Sequence, residues 1–287
     1  MNFELNKKKG LSGCNLKLIN GDKIVRKSSS DINYNSRLCL QMEKQNSFFN
    51  LSIDGIKTPQ IINSGYEDNI FYFDMEYIFG NQPFDVFISG TKTEIDNFIK
   101  YLNNYFTFLF SSTQDVDIKY FKSENVNKLN NLFDTSDYKQ FIEYIINKVQ
   151  NIKSKSFIKS DCHGDFTIAN MIYYDNNIYL IDFLDSYINS PIVDLVKLKQ
   201  DLYHNWSLIN SNYTEQEFYR ARQISFFIWD KISKDYSTYI NTLEFKIIEA
   251  INFLRIEPYI NGDMKLLLNK IIKSLQIYEE FNNTNGR

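Results

Sequence analysis

Ser160-Asp-Cys-His163-Gly-Asp165-Phe-Thr-Ile-Ala-Asn170-Met-Ile172, followed after residues 173–177 by Ile178-Tyr-Leu-Ile-Asp182-Phe183, is the stretch that decides the fold. It sets an Asp, an Asn five positions on, and a second Asp twelve positions beyond that. The second Asp ends an apolar run of strand composition. Between the strand-like pieces Ile172-Tyr-Tyr174 and Ile178-Tyr-Leu-Ile181 stands Asp175-Asn-Asn177, a turn. The chain is therefore predicted to double back, so that Asp182 faces the loop holding Asp165. Phosphoryl transfer needs a carboxylate to orient the attacking hydroxyl, and oxygen ligands that hold magnesium against a triphosphate. Asp165 has the chemistry for the first task, Asn170 and Asp182 for the second. A carboxylate and a carboxamide suit a hard cation that keeps several waters.

Upstream of this stretch the chain reads as strands broken by turns. Asn15-Leu-Lys-Leu-Ile19 and Lys23-Ile-Val-Arg-Lys27 alternate around Asn20-Gly-Asp22, a hairpin signal. Residues 36–49 have helical character. Gln60-Ile-Ile62 and Ile70-Phe-Tyr-Phe-Asp-Met-Glu-Tyr-Ile78 are further strand candidates, and Phe79-Gly-Asn-Gln-Pro83 is a turn-rich break. Beyond it the pattern becomes helical over residues 94–110 and 138–152, and again after the decisive stretch. The expected fold class is α+β, with a small antiparallel β lobe over residues 1–78 and a larger, mainly helical lobe over 79–287.

Composition narrows the classes. Among 287 residues, 43% are apolar and 16% aromatic, enough for a sizeable core, and a net charge of −3 carries no basic excess for nucleic acid. The cysteines Cys14, Cys39 and Cys162 are far apart and form no CxxC pair, which fits neither a disulfide framework nor a zinc site. No apolar stretch approaches the ~20 residues of a membrane span. A soluble, cytoplasmic protein with no nucleic-acid or membrane partner is the expectation.

The motifs resemble those of the aminoglycoside phosphotransferase and choline kinase superfamily, small-molecule kinases that share the bilobal fold of protein kinases. Its HxDxxxxN loop is matched by His163-Gly-Asp165-Phe-Thr-Ile-Ala-Asn170, its metal motif by Ile181-Asp182-Phe183, and its downstream Pro and Asp-Leu pair by Pro191-Ile-Val-Asp194-Leu195. The resemblance implies that Asp165 is the catalytic base, that His163 braces the loop, and that Asn170 and Asp182 bind magnesium. It also implies ATP as phosphoryl donor. Gly13, in a turn before the first strand, is then the candidate for approaching phosphate, and Lys27 for contacting it, with Arg26 on the opposite face. Glu43, in the following helix, is the leading candidate for the partner of Lys27. Glu76 and Ile78 would offer main-chain groups to the base in the segment joining the lobes. Asp194 either caps its helix or braces the catalytic loop.

Only Phe183 to Ser190 separate Asp182 from Pro191, and no APE motif follows, which leaves little platform for a peptide. A small-molecule alcohol is the expected acceptor, such as a sugar, polyol or amino alcohol used in surface-polysaccharide assembly. The alternatives are an antibiotic phosphotransferase of aminoglycoside type and a catalytically silent nucleotide-binding module.

Overall fold

The computed structural model describes residues 14–285, apart from 22 and 210. In chain order the elements begin with β1 (Cys14–Ile19), β2 (Ile24–Ser29), α1 (Asn35–Phe49), β3 (Ile56–Lys57), β4 (Ile61–Glu67) and β5 (Ile70–Glu76). Then come α2 (Pro83–Ser89), α3 (Lys92–Ser111), β6 (Gln114–Asp117), α4 (Ile118–Phe133), α5 (Lys139–Gln150), β7 (Ser156–Lys159), β8 (Met171–Tyr174) and β9 (Asn177–Leu180). Helices α6 (Pro191–Leu202), α7 (Trp206–Ile209), α8 (Glu215–Asp235), α9 (Ser237–Ile240), α10 (Leu243–Leu254), α11 (Gly262–Ser274) and α12 (Gln276–Asn285) complete the chain. The expected α+β class, sheet first and helices after, is what the structure has.

The elements form two compact units. One takes the described residues up to Tyr105 together with Ile168–Asp185, and the other takes Phe106–Thr167 with the described residues from Ser186 onward. The units are not colinear with the expected division at 78/79. The reason is a strand pairing: β3 runs parallel to β9, Ile56 opposite Ile178, which ties residues 168–185 to the N-terminal unit.

In the first unit β1, β2, β5 and β4 form an antiparallel sheet in that order. Its tight corners use residues that tolerate a left-handed backbone: Asn20 and Gly21 after β1, and Asp68 and Asn69 in the two-residue turn between β4 and β5. One sheet face and α1 enclose a core of Cys14, Val25, Leu38, Phe71, Phe73 and Met75. A second sheet sets β9 between β3 and β8. The chain leaving β5 crosses β8 at close range. The N–H of Asn81 donates to the carbonyl of Tyr173 at 3.0 Å, and the N–H of Tyr173 returns a bond to Asn81 at 2.8 Å. Gly80 permits this approach, because a Cβ there would stand 2.6 Å from the Tyr173 carbonyl oxygen.

The second unit is helical except for the ribbon of β6 against β7. Its centre is α6 packed on α10. Leu195, Leu198 and Leu202 of the former and Ile247, Ile251 and Leu254 of the latter are fully enclosed. Helix α8 starts on a capping box, in which Thr214 and Glu217 satisfy each other's backbone N–H groups. None of the helices among the described residues is long and apolar enough to cross a membrane.

Candidate active site

In the first unit, strand alternation decides which basic side chain turns inward. Val25, Lys27 and Ser29 are buried along β2, while Arg26 lies on the other face. There Arg26 makes a forked pair with both carboxylate oxygens of Asp74, at 2.7 and 3.0 Å, and stacks over the Tyr72 ring. The Asp74 hydrogen bond, helped by Glu67, pushes the Arg26 pKa above its ordinary value against burial, which lowers it. Lys27 Nζ, by contrast, donates to Gln41 Oε1 at 3.1 Å and pairs with Asp182 Oδ1.

Asp182 is delivered to that lysine by the β8–β9 hairpin. Asp175 and Asn176, both left-handed, form its two-residue turn. The ladder sets Met171 opposite Leu180, and one step further the N–H of Ile181 donates to the carbonyl of Asn170 at 3.0 Å. Asn170 and Asp182 are thereby brought to the same end of one hairpin. At Asp182 the backbone turns left-handed, φ +61°, a conformation that short polar side chains accept more readily than most. The turn ends the strand and directs the carboxylate to Lys27. Phe183, fully buried, then anchors the chain with its ring 5.0 Å from that of Phe48 on α1.

Lys27 does not take its helix partner from Glu43. The buried stripe of α1 is Leu38, Gln41, Gln45 and Phe48, and Glu43, two residues past Gln41, is turned about 200° away. Glu43 is exposed and accepts a 3.7 Å contact from the Cys39 thiol. Gln41 stands in its place, oriented by its amide nitrogen donating to the Tyr34 hydroxyl at 3.0 Å. The segment after β5 is partly committed. The N–H of Glu76 donates to Gln60 and that of Tyr77 to Lys23, both at 3.0 Å, while Ile78 is buried and its carbonyl accepts from Gly80. Gly13 lies outside the described residues.

In the second unit, the loop of His163 and Asp165 is fixed by Asp194. This carboxylate, fully buried in the first turn of α6, accepts the N–H of His163 at 2.7 Å and that of Gly164 at 2.8 Å. Of the two roles open to Asp194 in the sequence, bracing the loop is the one the hydrogen bonds support. Gly164 is left-handed at φ +86°, and the Asp165 N–H then donates to His163 Nδ1 at 3.2 Å. With Nδ1 an acceptor, the enclosed ring of His163 is tied to the loop backbone. The Asp165 side chain meets Lys197 of α6, whose Nζ is 3.0 Å from Oδ1.

Sequence reasoning overlooked Gln41 and Lys197. For Lys197 a signal existed: it stands three residues after Asp194, on the same helix face. For Gln41 there was none, because an amide in a helix announces no partner.

Asp194→Ala leaves two enclosed N–H groups without their acceptor. It is expected to cost about 3–5 kcal/mol of stability, read as a lower urea midpoint at unchanged slope. Asp194→Asn, which keeps one acceptor oxygen, should fall between the two.

No family model matches the chain, and no curated protein matches it. Solved structures do. An amicoumacin kinase in complex with AMP-PNP, calcium and amicoumacin aligns over 92% of this chain and 84% of its own, with TM-score 0.57 and 12% identity. APH(2")-IIia with GDP and kanamycin aligns over 97% and 92%, at TM-score 0.55 and 13% identity. A protein assigned as a fructosamine-3-kinase, from Thermobifida fusca, aligns over 90% and 85%, at TM-score 0.54 and 11% identity. The fold of this chain is that of the small-molecule kinases of the aminoglycoside phosphotransferase type.

Proposed function

We propose that this protein is a magnesium-dependent kinase that transfers the γ-phosphate of ATP to a hydroxyl group of a small molecule. The observation that carries the reading is the end of the β8–β9 hairpin, where Asn170 and Asp182 come together and a buried lysine meets the same carboxylate. The donor set is hard oxygen from one carboxamide and one carboxylate, which fits magnesium. Bound there, the ion would neutralise charge on the phosphates during transfer.

The rest is supplied by the chain itself. Lys27, held by Gln41, has the charge and burial to grip phosphate oxygens. Asp165 orients the acceptor hydroxyl and takes its proton, while Asp194 and His163 hold the backbone that carries it. The short run from Asp182 to Pro191 supports a small acceptor over a peptide. Ser186–Ser190 is also tied down, with Tyr187 donating to Asn125 at 3.2 Å and the Asn189 N–H to the Tyr120 hydroxyl at 3.3 Å. A sugar, polyol or amino alcohol in a cytoplasmic pathway such as surface-polysaccharide assembly is the proposed acceptor class. The antibiotic-kinase reading draws support from the amicoumacin and kanamycin complexes of proteins with this fold.

The test is a thermal-shift titration with ATP, with and without magnesium, beside an acceptor screen read by ADP formation. Magnesium-dependent stabilisation with acceptor-dependent ADP release is expected. Stabilisation without turnover on any acceptor would leave a nucleotide-binding module instead.

A further inference from the structure

The contact between Lys197 and Asp165 bears on what kind of acceptor the site takes. Lys197 is not a loose surface lysine. Its side chain is 13% exposed, with Nζ at 3.0 Å from Asp165 Oδ1 and 3.5 Å from Gln200 Oε1. Gln200 is itself held from α10 by the Asn252 amide at 2.8 Å. The ammonium is thus fixed beside the carboxylate by groups on two helices.

Among the described residues of this unit, Asp165 is the carboxylate it pairs with, and the other buried acids have partners of their own. Asp194, one turn earlier on α6, is occupied by the N–H groups of His163 and Gly164. The other buried acids of this unit are also committed: Asp201 to Ser207, Glu249 to Lys199 and His204, and Glu257 to Ser136 and Lys265. Burial pushes the Glu249 carboxyl up, but the His204 hydrogen bond and the Lys199 charge outweigh it, so its pKa stays below the ordinary value. A cationic substrate needs free carboxylates to replace its hydration, and this unit holds its buried ones in internal pairs.

We propose that Lys197 is a specificity-determining residue: its fixed charge at Asp165 selects acceptors that are neutral or anionic beside the reacting hydroxyl and rejects those carrying an ammonium there. The inference rests on the reading of Asp165 as the group that faces the acceptor. Within the proposed class it favours sugars, polyols and sugar acids over amino alcohols and aminoglycosides. An ammonium brought next to the hydroxyl would meet a like charge at close range, on a lysine whose side chain is largely enclosed.

The experiment compares matched acceptors, glucose with glucosamine and glycerol with ethanolamine, on the wild type, Lys197→Arg and Lys197→Met. The wild type should favour the neutral member by about tenfold or more in kcat/KM. Lys197→Arg should keep that ratio, and Lys197→Met should narrow it, mainly through the KM of the amine. A wild type that turns over the amines as well as their neutral counterparts, or a ratio unchanged in Lys197→Met, overturns the proposal.

A second measurement is independent of turnover: the carboxylate carbon of Asp165 followed by NMR across pH. Lys197 pairs with it, and the titratable groups His163 and Asp194 hold its loop. Its midpoint should rise in Lys197→Met as the cation is lost. If that rise is seen while no acceptor is phosphorylated, the kinase reading falls and the pair is structural, which also overturns the selection. If neutral acceptors are phosphorylated and the midpoint does not move, the kinase reading stands and the role of Lys197 falls.

Discussion

Asp182→Ala is expected to remove magnesium-dependent phosphoryl transfer by ~10³-fold or more, and with it the thermal stabilisation by ATP plus magnesium. The size follows from the several kcal/mol that a metal contributes to transition-state charge, at tenfold per 1.4 kcal/mol. Two losses coincide at this residue. The hairpin end loses its only carboxylate among the two proposed ligands, and Lys27 loses the acidic partner of its ammonium. The second loss has a signature of its own. Lys27 is 5% exposed, and among the described residues Gln41 alone would then accept from it. Stripping a partner from a fully buried charge costs about 3–5 kcal/mol. The Asp182 side chain is 35% exposed, so water reaches the pair and a loss of about 1–3 kcal/mol is expected. Lys27→Met in the Asp182→Ala background should recover part of that stability without recovering activity. Urea unfolding of the single and double variants measures the coupling.

Asp165→Asn is expected to lower kcat by ~10²–10⁴-fold while leaving the KM for ATP and the magnesium-dependent thermal shift near wild type. The amide keeps the size of the carboxylate and its contact with Lys197 but no longer takes a proton from a hydroxyl. The loop should hold its shape, because its backbone bonds run to Asp194 and His163. The two variants therefore separate binding from chemistry. Asp182→Ala should lose both, and Asp165→Asn only the second. Wild-type-like turnover by Asp165→Asn on a genuine acceptor would remove the role assigned to it.

The hairpin carrying Asn170 and Asp182 was legible because its signals are local: apolar strand pieces on either side of an Asp-Asn-Asn turn. The β1–β2 pair was legible for the same reason. Helices with amides on their buried face were harder to read. Helix α1 buries Gln41 and Gln45 between Leu38 and Phe48, and α4 buries Asn125 between Phe121 and Leu129. Such stripes break the apolar period on which helix reading depends, so the register of α1 stayed open and α4 was not foreseen. Each amide is held by a partner distant in sequence or by its own helix backbone: Gln41 by Lys27, Gln45 by Pro59, Asn125 by Tyr187 and Phe121. Those bonds are tertiary facts, and composition does not encode them. Glu43 drew attention as the nearest acid, but the helix turns it outward. The division of the chain into units was obscured likewise, since the two-residue strand Ile56–Lys57 is too short to announce its pairing with β9.

Asp182 is shared property. The carboxylate proposed to grip the metal is also the anion that holds Lys27, so on that reading the two cations would compete for it. A bare divalent ion would meet a lysine already seated, and repulsion would weaken its hold. A nucleotide arriving with its ion would bring phosphate oxygens as a new anchor for the lysine and free the carboxylate. The pair would then act as an interlock, with ion and triphosphate each removing the obstacle to the other.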